Sequence, residues 1–145
     1  MHVGAYDGDA AGWDAFVRDQ DGWTAFHLFG WKRVMERALG HECLYLTAHD
    51  VSGELAGVLP LVRVKSRLFG HYLVSLPFVN YGGPLGGAEA VRALTDHAAA
   101  LARESRADLL ELRSARALPI GLDVSHRKVT VLLDLAPGRP EAVWE

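Results

Sequence analysis

Residues 54–65 read E-L-A-G-V-L-P-L-V-R-V-K, with apolar side chains at both odd and even positions. The two alternating sets are Leu55, Leu59 and Leu61, and Val58, Val62 and Val64. Successive side chains of a strand point to opposite faces of its sheet, so the stretch predicts a strand that is covered on both faces. Pro60 has no N–H to donate and predicts a bulge or an edge position. A layered α/β (α+β) fold is therefore favoured over an open meander.

Further strands and helices are predicted on both sides of this stretch. Alternating apolar residues predict strands at 2–6, 43–49, 72–78, 108–113 and 128–135. Apolar residues spaced three and four apart predict a short helix that contains Trp13, Phe16 and Val17. The same spacing predicts a long helix at 88–105 that buries Val91, Leu94, Ala98 and Leu101. Another helix is expected at 27–39, with a buried stripe of Trp31, Val34, Met35, Ala38 and Leu39.

The composition is that of a single globular domain. The chain has 145 residues, of which 50% are apolar, and a formal net charge of -3. Such a chain lacks the cationic surface of a general nucleic-acid binder, so no DNA partner is expected. No run approaches the roughly 20 apolar residues of a membrane helix, and the amino terminus has no secretory signal, so a cytoplasmic location is expected. The single cysteine, Cys43, fits a reducing compartment and is typical of a small buried side chain.

The order of elements and four segments resemble a known family. The segments are W-T-A-F-H-L-F-G-W-K-R-V-M-E-R-A-L-G-H at 23–41, G-V-L-P-L-V-R-V-K-S-R-L-F-G at 57–70, L-V-S-L-P-F-V-N-Y-G-G-P at 73–84 and L-L-E-L-R at 109–113. Together they resemble the amino-terminal half of the FemAB-related proteins, a branch of the Fem aminoacyltransferase group with members associated with exosortase (PEP-CTERM) systems. The resemblance implies a GNAT-like domain at 1–136, with a mixed, mostly antiparallel central sheet and helices on both faces. Residues 137–145 would begin a linker or helix leading to a second GNAT-like domain.

The family resemblance also implies a function. Fem-type proteins transfer an acyl or aminoacyl group to an amine of a cell-envelope precursor, here a peptidoglycan or polysaccharide-related acceptor. This half would mainly bind an anionic precursor or a similar small acceptor, and it would be inactive alone. No firmly bound cofactor is expected, because the acyl donor, aminoacyl-tRNA or acyl-coenzyme A, would be a cosubstrate. An aminoacyl-tRNA would be bound through the second half of the protein. Two alternatives stay open: a noncatalytic GNAT-fold module for binding or assembly in envelope biogenesis, and a free-standing acetyl-coenzyme A-dependent N-acetyltransferase.

The glycine-rich sequence N-Y-G-G-P-L-G-G at 80–87 precedes the long helix. Backbone N–H groups at a helix amino terminus favour phosphates. Pro84 removes one N–H, and the Q/R-x-x-G-x-G/A pattern of coenzyme A binders is absent, which counts against the N-acetyltransferase. The family resemblance implies instead that the loop faces the acceptor through Asn80, Tyr81, Gly82 and Gly83. The alternative is a turn that needs glycine only for positive φ and tight packing.

Charged residues supply the remaining candidates. The resemblance implies that Lys32 meets the anionic part of the precursor, the alternative being a solvated helix lysine. Arg113 shares a strand face with Glu111, where it would bind substrate or form a structural ion pair. An anion-binding patch, or a charged edge that discourages aggregation, would comprise Arg63, Lys65 and Arg67. The histidines lack H-E-x-x-H or comparable spacing, so no metal is expected, and no catalytic residue is assigned.

Overall fold

The central strand predicted at 54–65 lies within a mixed sheet. The computed structural model describes residues 1–66, 68, 70–118 and 120–125. Six strands are present among them: β1 (His2–Ala5), β2 (Glu42–His49), β3 (Leu55–Ser66), β4 (Gly70–Ser75), β5 (Leu85–Gly86) and β6 (Leu109–Glu111). The order is β1-β2-β3-β4-β6, and β5 also pairs with β3. All pairs are antiparallel except β4 with β6, so the expected mixed, mostly antiparallel sheet is confirmed.

Apolar clusters cover both faces of β3. On one face Leu59 and Leu61 pack beneath helix α3 (Ala88–Glu104), together with Leu94 and Ala98. On the other face Val58 packs against Trp13 of helix α1 (Ala10–Arg18). The two-sided burial predicted from the alternating pattern is thus confirmed. The predicted strand at 128–135 and the segment 137–145 lie outside the described residues.

A bulge in β3 places Leu55 on the opposite face of the sheet from the one predicted. The register passes from Ala48 opposite Gly57 to His49 opposite Leu55, so Ala56 is an extra residue on β3. One extra residue turns every side chain beyond it to the other face. Leu55 accordingly packs with the Trp13 cluster, and the prediction that it shares a face with Leu59 and Leu61 is wrong.

Pro60 lies in the middle of the sheet, so the predicted edge position is wrong. It sits directly opposite Tyr45 in regular pairing, and the register shift occurs elsewhere. On its other side, β5 pairs with Gly57 and Val58, whereas β4 pairs only from Leu61 onward. Pro60 therefore occupies the gap between two partner strands, where a missing N–H removes no ladder hydrogen bond.

In place of the single helix predicted at 27–39, the structure has three short helical pieces of different type. A 3-10 turn spans Ala25–His27, helix α2 spans Gly30–Arg33, and a π-helical turn spans Val34–Ala38. A π turn bonds residues five apart, as Leu39 N–H does to the Val34 carbonyl, and so breaks the 3.6-residue period. Of the predicted stripe only Met35 is buried, while Val34 and Leu39 are 41% and 45% exposed. The predicted stripe is therefore wrong apart from Met35 and the partly buried Trp31.

The long helix matches its prediction closely. Helix α3 begins at Ala88 and ends at Glu104, and it buries Val91, Leu94 and Ala98. Leu101 is partly buried against the same cluster. No helix within the described ranges is long and apolar enough to cross a bilayer.

Candidate functional site

The loop that follows β4 leaves the sheet abruptly at Leu76. The predicted strand continued to residue 78, but β4 ends at Ser75. Leu76 has a φ of 50°, which turns the chain away, and its N–H donates to the Pro60 carbonyl at 3.1 Å. Phe78 has a φ of 69° and is 67% exposed. Neither residue is a glycine, and left-handed backbone at such residues is uncommon outside sites where the surroundings enforce it.

Gly82 and Gly83 are buried by close backbone packing. Gly82 has a φ of 152°, and a Cβ there would lie 2.7 Å from the Leu76 Cβ. A Cβ on Gly83 would lie 3.0 Å from the Arg113 carbonyl oxygen. The two glycines therefore let the loop fold against Leu76 and the chain after β6, while Asn80 is exposed and Tyr81 is half-buried. The next residues, Leu85 and Gly86, form β5, a strand that was not anticipated.

Arg113 is placed against this loop. Its Nε donates to Glu111 Oε1 at 2.8 Å, and its Nη1 donates to the Val79 carbonyl at 2.8 Å. Its backbone N–H donates to Ser75 Oγ at 2.7 Å, and its carbonyl accepts from the Gly82 N–H at 3.1 Å. The sequence contains no signal for these contacts, since Ser75 and Arg113 lie 38 residues apart.

The three helical turns between residues 25 and 38 form a helical segment that adjoins the loop, and His27 is a buried polar residue near its start. Its Nδ1 accepts from the Thr24 N–H at 3.0 Å, and its carbonyl accepts from Trp13 Nε1 at 2.8 Å. Burial lowers the pKa of His27 below its ordinary value. Burial therefore disfavours protonation of this ring, which lies next to the glycine loop, and sequence spacing gave no sign of this placement.

Apolar contacts join the helical segment to the loop. Met35 packs with Leu76 in a buried cluster, and Trp31 and Val79 pack against the edge of that cluster. The His41 imidazole stacks on Phe78 with ring centroids 5.7 Å apart. The elements that carry Lys32, Asn80 and Tyr81 are therefore neighbours.

Lys32 forms an ion pair on its own helix. Its Nζ lies 2.5 Å from Glu36 Oε1, and both side chains are partly exposed, at 30% and 39%. Such exposed pairs contribute only about 0–1 kcal/mol. An incoming anion can therefore compete with Glu36 for the ammonium group.

The three residues of the expected anion patch have different environments. Arg63 Nη1 contacts both carboxylate oxygens of Glu42, at 3.0 and 2.8 Å, so its charge is compensated. Lys65 is exposed and lines an open cavity of about 400 Å³ together with Ser66, Gly70, His71 and Asp108. Arg67 lies outside the described residues.

Two reactive groups beneath the helical segment are held in their protonated forms. Burial, with a smaller effect of Glu36, raises the pKa of the Cys43 thiol to about 12, and its Sγ contacts the Lys32 carbonyl at 3.7 Å. Burial also raises the pKa of Tyr45 far above its usual range, and its hydroxyl has no hydrogen-bond partner among the described residues. Neither group is activated as a nucleophile. Within the residues that the structure describes, no group of three His, Cys, Asp or Glu side chains is placed to hold a metal ion.

Comparison with solved structures finds a match to the crystal structure of FemX, with a TM-score of 0.52 at 23% sequence identity. The match covers 74% of this chain and 25% of the FemX chain, so this chain spans about a quarter of the length of that protein. No family model and no curated protein matches the sequence. The likeness establishes a shared fold, which confirms the Fem-type fold implied by the sequence resemblance.

Proposed function

We propose that this chain is the acceptor-binding, GNAT-like domain of a Fem-type aminoacyltransferase. The fold shared with FemX supports the relationship. One observation carries the acceptor role: Asn80 and Tyr81 are accessible on a loop whose glycines are buried, beside the helical segment that carries Lys32. We place the protein in the cytoplasm. The association with exosortase systems stays a prediction.

In this proposal Lys32 binds the anionic part of a cell-envelope precursor. A phosphate or carboxylate displaces Glu36 as the partner of the ammonium group, and the exposed ion pair offers little resistance. The Tyr81 hydroxyl and the Asn80 amide then orient the acceptor amine. Gly82 and Gly83 shape the loop from beneath.

The reaction joins the acceptor amine to an activated acyl group. The amine nitrogen attacks the acyl carbonyl carbon, the ester or thioester bond breaks, and the departing tRNA hydroxyl or coenzyme A thiol takes up the proton that the amine loses. Holding the amine in one orientation lowers the entropic part of this barrier. We assign that positioning to this chain, and we propose aminoacyl-tRNA or acyl-coenzyme A as the donor, bound mainly outside this domain.

Calorimetric titration of an acceptor tests the proposal. The probe is a soluble, diphosphate-linked cell-wall peptide precursor with a free amine, and inorganic phosphate serves as the reference ligand. Lys32→Ala should weaken precursor binding roughly tenfold, the value of one charge-assisted hydrogen bond. Tyr81→Phe should weaken it by a smaller factor. The matched control is Arg92→Ala, which removes an exposed cation from α3 on the opposite face of the sheet and should leave affinity unchanged.

Equal affinity of wild type, Lys32→Ala and Tyr81→Phe for the precursor would refute the acceptor site. A second titration uses acetyl-coenzyme A. Tight binding of that thioester to this chain, with no binding of the precursor, would instead favour the free-standing N-acetyltransferase.

A further inference from the structure

Arg113 holds the loop at three points. Its backbone N–H binds Ser75 Oγ where the loop begins, and its Nη1 binds the Val79 carbonyl in the middle. Its carbonyl accepts from the Gly82 N–H where the loop ends. A single residue thus restrains the chain immediately before and immediately after Asn80 and Tyr81.

Glu111 orients the guanidinium for this task. Glu111 is the last residue of β6 and Arg113 lies two residues beyond it, and Arg113 Nε donates to Glu111 Oε1 at 2.8 Å. The Arg113 side chain is only 25% exposed. Because Nε and Nη1 belong to one rigid plane, the bond to Glu111 also aims Nη1 at the Val79 carbonyl.

The loop backbone needs such restraint. Leu76 and Phe78 both have positive φ values, of 50° and 69°, which residues with a Cβ rarely adopt. Backbone of this kind persists only where the surrounding contacts enforce it. The Val79 carbonyl that binds Arg113 directly follows Phe78.

We infer that Arg113 is a positioning residue, which fixes Asn80 and Tyr81 through the backbone of the loop and does not itself contact the acceptor. The inference rests on the proposed function for the identity of the acceptor. The ordering of the loop by Arg113 can be measured without any ligand.

The test combines amide hydrogen exchange with precursor titration. Arg113→Met keeps the length of the side chain and removes its hydrogen bonds to Glu111 and Val79, while the backbone hydrogen bonds to Ser75 and Gly82 can still form. We expect the Gly82 amide, which donates to the Arg113 carbonyl, to exchange roughly tenfold faster or more, while the amides of β3 keep their protection. Precursor binding should weaken roughly tenfold. Arg103→Met, at an exposed arginine of α3, is the matched control and should change neither measurement.

Glu111→Met provides an independent perturbation that leaves Arg113 in place. Freed from Glu111, the guanidinium should hold Val79 less firmly, so exchange and affinity should change in the same direction by smaller factors. Glu111→Gln keeps an acceptor oxygen for Nε and should restore most of the protection. These variants also decide the question if Arg113→Met does not fold.

The outcomes separate the two proposals. Weaker precursor binding with unchanged exchange of the Gly82 amide would mean that Arg113 touches the acceptor, which overturns the positioning role. Unchanged exchange and unchanged affinity would overturn it as well. Faster exchange in Arg113→Met, combined with no precursor binding by the wild type, would support the positioning of the loop and refute the proposed acceptor function.

Discussion

Leu76 and Phe78 have the same unusual backbone but opposite exposure, so glycine substitutions can separate the strain of the loop from its packing. Leu76 is fully buried, whereas Phe78 is 67% exposed. Left-handed backbone costs a residue with a Cβ about 1–2 kcal/mol, and glycine removes that cost. Glycine also loses about 0.5–1 kcal/mol more conformational entropy on folding. The net gain from either backbone change is therefore about 0–1.5 kcal/mol.

The loss of side-chain contacts decides how much each glycine substitution changes the free energy of unfolding. Removing the buried Leu76 side chain costs about 2–5 kcal/mol, so Leu76→Gly should destabilise the protein by about 0.5–5 kcal/mol, with a midpoint of about 3 kcal/mol. The Phe78 ring stacks on His41, a contact worth about 0.5–1.5 kcal/mol. The gain and the loss nearly cancel, so Phe78→Gly should change the free energy of unfolding by about 1.5 kcal/mol or less.

Urea unfolding followed by circular dichroism measures both values. Leu73→Gly is the matched control, because Leu73 is also fully buried but lies in regular β4, where glycine relieves no strain. It should cost about 1–2 kcal/mol more than Leu76→Gly. The reasoning fails if Phe78→Gly destabilises the protein as much as Leu76→Gly does. It also fails if Leu76→Gly is no better tolerated than Leu73→Gly.

Three further predictions concern titratable groups. Burial lowers the folded pKa of His27 below its ordinary 6.5, so the unfolded chain takes up this proton first, and the free energy of unfolding should decrease as the pH falls below about 6.5 towards the folded value. His27→Gln should flatten that slope in urea titrations between pH 7 and pH 5, and an identical slope in the variant would contradict the assignment. Because the pKa of Cys43 is raised to about 12, iodoacetamide at pH 8 should alkylate the native thiol at least roughly 100-fold more slowly than the thiol of the chain unfolded in guanidinium; equal rates would disprove its protection. Glu42→Gln should lower the free energy of unfolding by only about 1 kcal/mol or less, because Glu42 is 55% exposed beside Arg63; a loss of several kcal/mol, insensitive to salt, would show that the pair is more deeply buried than this.

Local periodicity predicted those parts of the fold in which neighbouring residues share one regular geometry. The spacing of Val91, Leu94 and Ala98 placed α3 correctly because a helix buries a stripe at intervals of three and four residues. The two apolar faces of β3 followed in the same way from alternation. Periodicity failed at irregular positions, at Leu55 beyond the bulge of β3 and at Val34 in the π turn of the helix predicted at 27–39, since one extra residue changes the period.

The candidate site likewise combines features that follow from local sequence with features that depend on long-range contacts. The sequence alone located the glycine loop with Asn80 and Tyr81, and the helical segment that carries Lys32, because composition and spacing are local properties. Only the tertiary structure decided that Met35 and His41 meet the loop and that Arg113 holds it. Those contacts join residues far apart in the chain, and they depend on where β4 ends and β6 begins. Hydrogen bonds and packing between such distant residues leave no periodic pattern in the sequence, so the folded chain is needed to reveal them.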